Sequence, residues 1–277
     1  MSPTLTVIKK ELKDSLRNRW VIAATLLLAI LALSLGFLGS TPAGGNVKAD
    51  LLTVTVVSLS SLSIFLIPLI AMLLSHDALI GEIERGTMSL LLSYPISRTQ
   101  VLAGKFIGHL LVLTLATTIG YGLAGLALQL GSGGFSAAGW GPLILLIVAS
   151  ILLGAAFMSI GYLISAWAKE RATAAGVAIA VWLFFVVIFD MAILGALVAD
   201  SQQTITANIL EVILLFNPTD IYRLLNLTGY ENTAMYAGMA GLSSQLSLSK
   251  TILFIMQFAW IIVPLVLAMM TFKKRSI

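Results

Sequence analysis

Six long apolar runs decide what this chain can become. They cover residues 20–39, 53–75, 101–130, 143–167, 172–198 and 251–272 of a 277-residue sequence. A helix needs roughly 20 apolar residues to cross the hydrocarbon core of a bilayer. Inside lipid the backbone must bond to its own segment, so each run is read as a transmembrane α-helix. The alternating apolar–polar period of a membrane barrel is absent from the sequence. Composition agrees: only 10% of residues are charged, against about a quarter in soluble domains. So few charges cannot cover a water-facing surface. The expected fold is all-α: a polytopic membrane protein with six transmembrane helices.

The basic residues set the orientation. Lys9, Lys10, Lys13, Arg17 and Arg19 precede the first run. Arg85, Arg98 and Lys105 lie between or beside runs two and three, Lys169 and Arg171 between runs four and five, and Lys273, Lys274 and Arg275 after run six. Six spans put these 13 of the 16 basic residues on one side, leaving only Lys48, Arg223 and Lys250 on the other. The excess of Lys and Arg marks the cytoplasmic face, so both termini are expected inside. The first run is too long for the h-region of a cleaved signal peptide. The chain has no cysteine, which excludes disulfides and thiolate chemistry.

Residues 1–19 form a separate piece before the first span. Leu5, Ile8, Leu12 and Leu16 recur at helical spacing, with Lys9, Lys10, Lys13, Asp14 and Arg17 mostly off that stripe. A basic amphipathic helix of this kind lies in the membrane interface. It serves as a simple anchor or as a lever that also touches a cytoplasmic partner. The external loops at 40–52 and 131–142 are short and Gly-rich, whereas 199–250 is long and apolar. Within it, "ANILEVILLFNP", "DIYRLLNL" and "NTAMYAGMAGL" read as three short helices. This segment either docks an outside partner, through Ile209, Leu214, Tyr222, Arg223 and Tyr230, or caps the bundle against water.

The chemistry that is missing narrows the function. No phosphate-binding loop occurs: the one Gly-Lys pair, Gly104-Lys105, has Thr99 where the first glycine belongs. His76 and His109, the two histidines, make a poor metal site without a third ligand. Asp190 is almost the only charge inside a span. It reads as a paired or hydrated carboxylate, or as a weak sign of an ion path. Gly104-x-x-x-Gly108 permits a close helix approach. No nucleotide-binding or catalytic motif is present, so an enzyme reading has no support, and no feature suggests nucleic acid.

One compact charged stretch interrupts this apolar chain: "GEIERGTMSLLLSYPISR", Gly81 to Arg98. "SHDALIGEIERG" reads as a helix with Ser75 or Asp77 as its cap. Leu79, Ile80 and Ile83 form an apolar face for the membrane, and Glu82, Glu84 and Arg85 turn away from it. Gly86 suits the left-handed residue after a helix end. Thr87 can cap a second short helix, Met88 to Ser93, which Tyr94-Pro95 stops. The product is a stiff elbow across the inner ends of two spans.

"GEIERGTMSLLLSYPISRTQVLAGKFIG" resembles the pattern of ABC-2-type permeases: glutamates, Gly-Thr, a leucine run, Ser-x-Pro, Ser-Arg, then Gly-Lys entering the third span. The wider layout resembles that family along the whole chain, with residues 20–277 as the permease domain. The resemblance implies that segment 76–99 is a coupling helix seated on a separate cytoplasmic ABC ATPase, which binds ATP and Mg. Glu82, Glu84, Arg85, Gly86, Thr87 and Arg98 are the residues it assigns to that contact. It implies a homodimer, for which faces containing Ala23, Ala24, Ala174, Ala175 and Gly176 are the candidates. "VIKKELKDSLRNRW", residues 7–20, and the 199–250 segment look like permeases that serve nitrous oxide reductase maturation. That likeness implies a periplasmic β-helix partner and copper-site assembly, with transient Cu(I) in prospect. Met235 and Met239, four apart on a helix, and Met191 would be the soft ligands, unless they simply pack. The ATP-driven motion then either exports a solute or, with no solute moved, mechanically remodels an outside partner through the 199–250 segment. Two other readings are an ABC-2 exporter of a lipid, polysaccharide or drug, and an ATP-independent carrier, in which the charged elbow would have no duty.

Overall fold

The computed structural model describes residues 3–17, 20–38, 51–131, 140–200, 206–227 and 248–276. All described elements are helices. They run α1 (Pro3–Arg17), α2 (Trp20–Leu38), α3 (Leu51–Ser75), α4 (Ile80–Glu84), α5 (Thr87–Leu92), α6 (Arg98–Gly131), α7 (Trp140–Trp167) and α8 (Arg171–Leu183). A π-helical turn, Phe184–Ile188, leads into α9 (Phe189–Ala199). Then come α10 (Ala207–Leu215), α11 (Pro218–Leu227) and α12 (Lys250–Lys274). Five stretches are long and apolar enough to cross a membrane: Ser58–Glu84, Arg98–Ala127, Trp140–Trp167, Arg171–Ala199 and Lys250–Lys274. The first apolar run appears as α2, of which Ala23–Ser34 is a shorter apolar helix.

The bundle is built around α7, where 17 of 28 residues are buried. Helices α3, α6, α11 and α12 pack on it. Helix α2 lies along α6. The continuous helix α8–α9 shows much of its length to the surroundings, with Ile179, Phe184, Ile188, Met191 and Val198 exposed. Such apolar exposure suits lipid. Ala24 and Ala174 are buried within the chain itself, so these two members of the expected dimer faces are unavailable to a second copy.

The N-terminal helix packs on the protein through a face other than the stripe that the spacing marked. Leu5 is exposed, and the residues turned inward are Val7 and Glu11. The reason lies in α6. A Cβ added at Gly104 would stand 2.9 Å from Val7 Cβ, and one at Gly108 would stand 2.7 Å from Glu11 Cβ. The Gly104-x-x-x-Gly108 step is therefore the seat of α1, whose backbone approaches too closely for any side chain there. A close seat for Val7 and Glu11 rotates Leu5 outward.

Candidate functional site

The elbow is α4 and α5 with the turns around them. Gly86 has φ +71°, the left-handed geometry expected after a helix end. The start of α4 is capped by neither Ser75 nor Asp77. Ser165 of α7 does it, its Oγ accepting from the backbone N–H groups of Leu79 and Ile80 at 3.0 and 3.1 Å. Ser75 instead donates to Ala71 within its own helix. Asp77 accepts both arms of Arg171 at 2.7 Å each, a bidentate pair at the foot of α8. Glu84 accepts the Arg171 backbone N–H at 2.8 Å, where the helix dipole favours a carboxylate. Leu79 and Ile80 are fully buried, so this face rests on protein and not on lipid. Thr87 does not cap α5; its hydroxyl donates to the Glu82 carbonyl at 3.2 Å.

Beneath the elbow lies a buried charge cluster. Lys105 of α6 is 2% exposed. Its ammonium lies 2.8 Å from Glu11 Oε1 and 2.8 Å from Glu82 Oε1. Lys10 reaches the same Glu82 oxygen at 3.0 Å. Glu11 Oε2 lies 3.3 Å from His109 Nε2, and His109 Nδ1 lies 2.8 Å from the Tyr162 hydroxyl. The ring satisfies both partners when Nε2 donates to Glu11 and Nδ1 accepts from Tyr162. One lysine thus ties α1, α4 and α6 together. Burial alone would raise the Glu11 carboxyl; the His109 hydrogen bond and the Lys105 charge outweigh it and hold it well below the usual carboxylate range. Glu82 was expected to face the cytoplasm, but Lys105 and Lys10 draw it inward. A cleft of about 820 Å³ opens over this cluster, between α1, the end of α3 and the elbow.

Of the six expected coupling residues, Glu84, Arg85, Gly86 and Thr87 lie on the exposed face. Arg98 does not. It donates to the carbonyls of Phe272, Lys273 and Arg275 and lies over the Phe272 ring. It caps the end of α12, whose carbonyls have no partner in their own helix.

The far end of the bundle carries a second cluster. Asp190 is paired, as one of the two readings of it held: Arg223 lies 2.6 Å from Asp190 and 2.5 Å from Asp220. Burial pushes Asp220 up, against the pull of Arg223 and with the help of Asp190. The Phe185 carbonyl in the π-turn accepts from Asn217 at 2.9 Å and Thr219 at 3.2 Å, so the start of α11 is pinned to the span. This overturns part of the expected docking face. Tyr222 is fully buried, 3.2 Å from the Ser150 hydroxyl. Leu214 is buried, and Arg223 is turned to its two carboxylates. Ile209 remains exposed, and Tyr230, Met235 and Met239 lie outside the described residues. Met191 is exposed on α9. Among the described residues, no group of three or more His, Cys, Asp or Glu stands together to hold a metal.

Residue reading of the sequence missed Glu11, Lys105, Ser165 and Tyr162 as parts of the elbow's support. Signals did exist: an acid in a basic helix, and Lys105 and His109 one turn apart on an apolar span. Ionisable groups there face the interior and need partners.

The chain matches known proteins along its length. Residues 5–277 match the family described as ABC-2 family transporter protein. The "Probable ABC transporter permease protein NosY" of Stutzerimonas stutzeri is 42% identical over 281 residues, covering 99% of both chains. The protein of the same name from Pseudomonas aeruginosa is 44% identical over 273 residues, covering 98% of both. Its apolar spans and these relatives make it a multi-pass protein of the inner membrane. By match and by layout alike, this chain is a member of the ABC-2 family, a permease subunit of an ABC transporter.

Proposed function

We propose that this permease passes the motion of a separate cytoplasmic ATPase through its elbow to the periplasmic side. The work done there is maturation of the copper site of nitrous oxide reductase. Six spans with both termini inside, a homodimer and a periplasmic β-helix partner complete the reading. The carrying observation is the elbow. Its inner face is locked by Ser165, Lys105 and Arg171, while Arg85, Leu90 and Tyr94 are exposed. A part held so firmly from one side and bare on the other is suited to transmit a push. The identity to NosY permeases supports the copper assignment. Cu(I) handling would fall to the thioethers of Met191, Met235 and Met239.

The test is Arg85→Glu combined with Leu90→Glu, both on the exposed face. The permease should remain folded, lose stimulation of its ATPase, and leave nitrous oxide reductase short of copper in cells. Full stimulation by this variant would show that the elbow does not couple. Changing Met235 and Met239 together to Leu should lower copper loading while the complex still assembles. Normal loading would assign these methionines to packing.

A further inference from the structure

We propose that the cleft under the elbow binds the headgroup of an aminophospholipid, with the ammonium on Glu82 and the phosphate between Lys10 and Arg85. The cleft joins the ends of membrane spans to elements outside them. Leu73 and Leu74 come from the last turn of α3, Lys105 from the start of α6, and the other walls from α1 and the elbow. It therefore opens at headgroup depth. A volume of about 820 Å³ falls in the usual range for small-ligand sites, about 300–1,000 Å³.

The floor asks for a cation. Glu82 is more than nine-tenths buried and lines the cleft. Its Oε1 holds Lys10 and Lys105, but its Oε2 has no partner among the described residues. An orphaned buried carboxylate oxygen is costly, and a charged N–H donor is the group that best satisfies it. Of the other carboxylates lining the cleft, Glu11 is engaged by Lys105 and His109 and Asp77 by Arg171, while Asp14 stands half-exposed on α1, where water satisfies it as it cannot satisfy the buried Glu82 oxygen. The rim asks for an anion, because Lys10 and Arg85 are exposed at the mouth. Exposed Leu73 and Leu90 offer the glycerol and first methylenes an apolar wall. A primary ammonium one phosphodiester away from a glycerol matches this order of floor, rim and wall. A choline headgroup has no N–H to give, and a glycerol headgroup has no positive charge.

The experiment uses the purified permease without its ATPase, so its outcome is separate from that of the coupling proposal. Short-chain phosphatidylethanolamine, phosphatidylcholine and phosphatidylglycerol are titrated while thermal unfolding is followed. Phosphatidylethanolamine should bind about tenfold more tightly than phosphatidylcholine, as one charged hydrogen bond allows. Glu82→Gln, shown folded by circular dichroism, should bring that ratio close to one. Arg85→Ser should weaken both zwitterionic lipids by a similar factor and keep their ratio; it decides the matter if Glu82→Gln does not fold. Equal binding of the two zwitterionic lipids overturns the proposal and leaves water as the partner of Oε2. A ratio that survives in folded Glu82→Gln also overturns it, as does unchanged binding by Arg85→Ser. If lipids have no effect and only added ATPase shields a Leu90→Cys label, the occupant is protein and the proposal fails.

Discussion

Two ion clusters stand at opposite ends of the bundle and solve burial differently. From Arg171 to Asp190 the α8–α9 helix rises roughly 28 Å at about 1.5 Å per residue, so the clusters are well separated. At the elbow, Glu11 and Glu82 face Lys105 and Lys10, and His109 takes the remaining oxygen of Glu11. Charges balance, and three elements are tied. Each cluster leaves buried carboxylate oxygens without a partner among the described residues, Glu82 Oε2 at the elbow and Asp190 Oδ1 and Asp220 Oδ2 at the far end, but at the far end one guanidinium serves two carboxylates. The first arrangement suits ionised groups held still. The second keeps the option of neutralising a carboxylate, because a proton can supply the second positive charge that the cluster lacks. The difference teaches that burial of charge alone does not make a strut; balance does.

The sharpest way to break this comparison is Lys105→Ala. It leaves two buried carboxylates facing each other, and removing one partner of a buried pair costs about 3–5 kcal/mol. We expect loss of folded protein, or a lower midpoint when detergent-solubilised protein is unfolded with dodecyl sulfate. A midpoint like that of the unaltered chain would mean that the cluster is not a strut. Arg223→Met should cost less, about 1–3 kcal/mol, since Asp220 can take up a proton as Arg223 leaves. Equal losses in the two variants would erase the distinction.

pH should separate the clusters by sign. Burial, partly offset by Arg223 and reinforced by Asp190, pushes Asp220 from 3.8 up to about 7. Between those values the folded chain binds more protons than the unfolded chain, so this group weakens the fold as pH rises through the window. Glu11 runs the other way. Its folded value lies below the ordinary 4.5, so its contribution is present above that pH and is lost as pH falls through the folded value. Asp220→Asn should therefore flatten the decline between pH 4 and 7, by up to about 1.4 kcal/mol per pH unit. An unchanged slope would place the proton elsewhere.

The spans were legible in the sequence because lipid leaves a simple code, an apolar run of fixed length. Five of the six appear as candidate spans, and the remaining one, the first run, is α2. The helix break at Gly86 was legible for an equally local reason, its left-handed φ. What escaped was long-range. Ser165 lies 86 residues from the helix it caps, and Lys105 lies 94 residues from Glu11. No periodicity within a helix reports a partner at that distance. The direction of Glu82 failed for the same reason: helical spacing gives a residue's angle around its own axis, while Lys105 decides which side is inward.

The smallest effect belongs to the exposed side of the elbow, at Glu84. Its carboxylate accepts one backbone N–H at the start of α8 from an exposed position. The interaction is of the helix-terminus kind, worth about 0.3–1 kcal/mol and screened by salt. Glu84→Gln keeps an acceptor oxygen and removes the charge. It should lower stability by about 0.5 kcal/mol in dilute buffer and by almost nothing at high salt. The loss in Lys105→Ala should persist at the same salt, because buried pairs are poorly screened. Running both variants across a salt series therefore ranks the contacts by burial rather than by distance, since 2.8 Å separates the atoms in both cases. If Glu84→Gln costs as much as Lys105→Ala and resists salt, the exposed face also acts as a strut. The division between a locked inner face and a free outer one would then have to be abandoned.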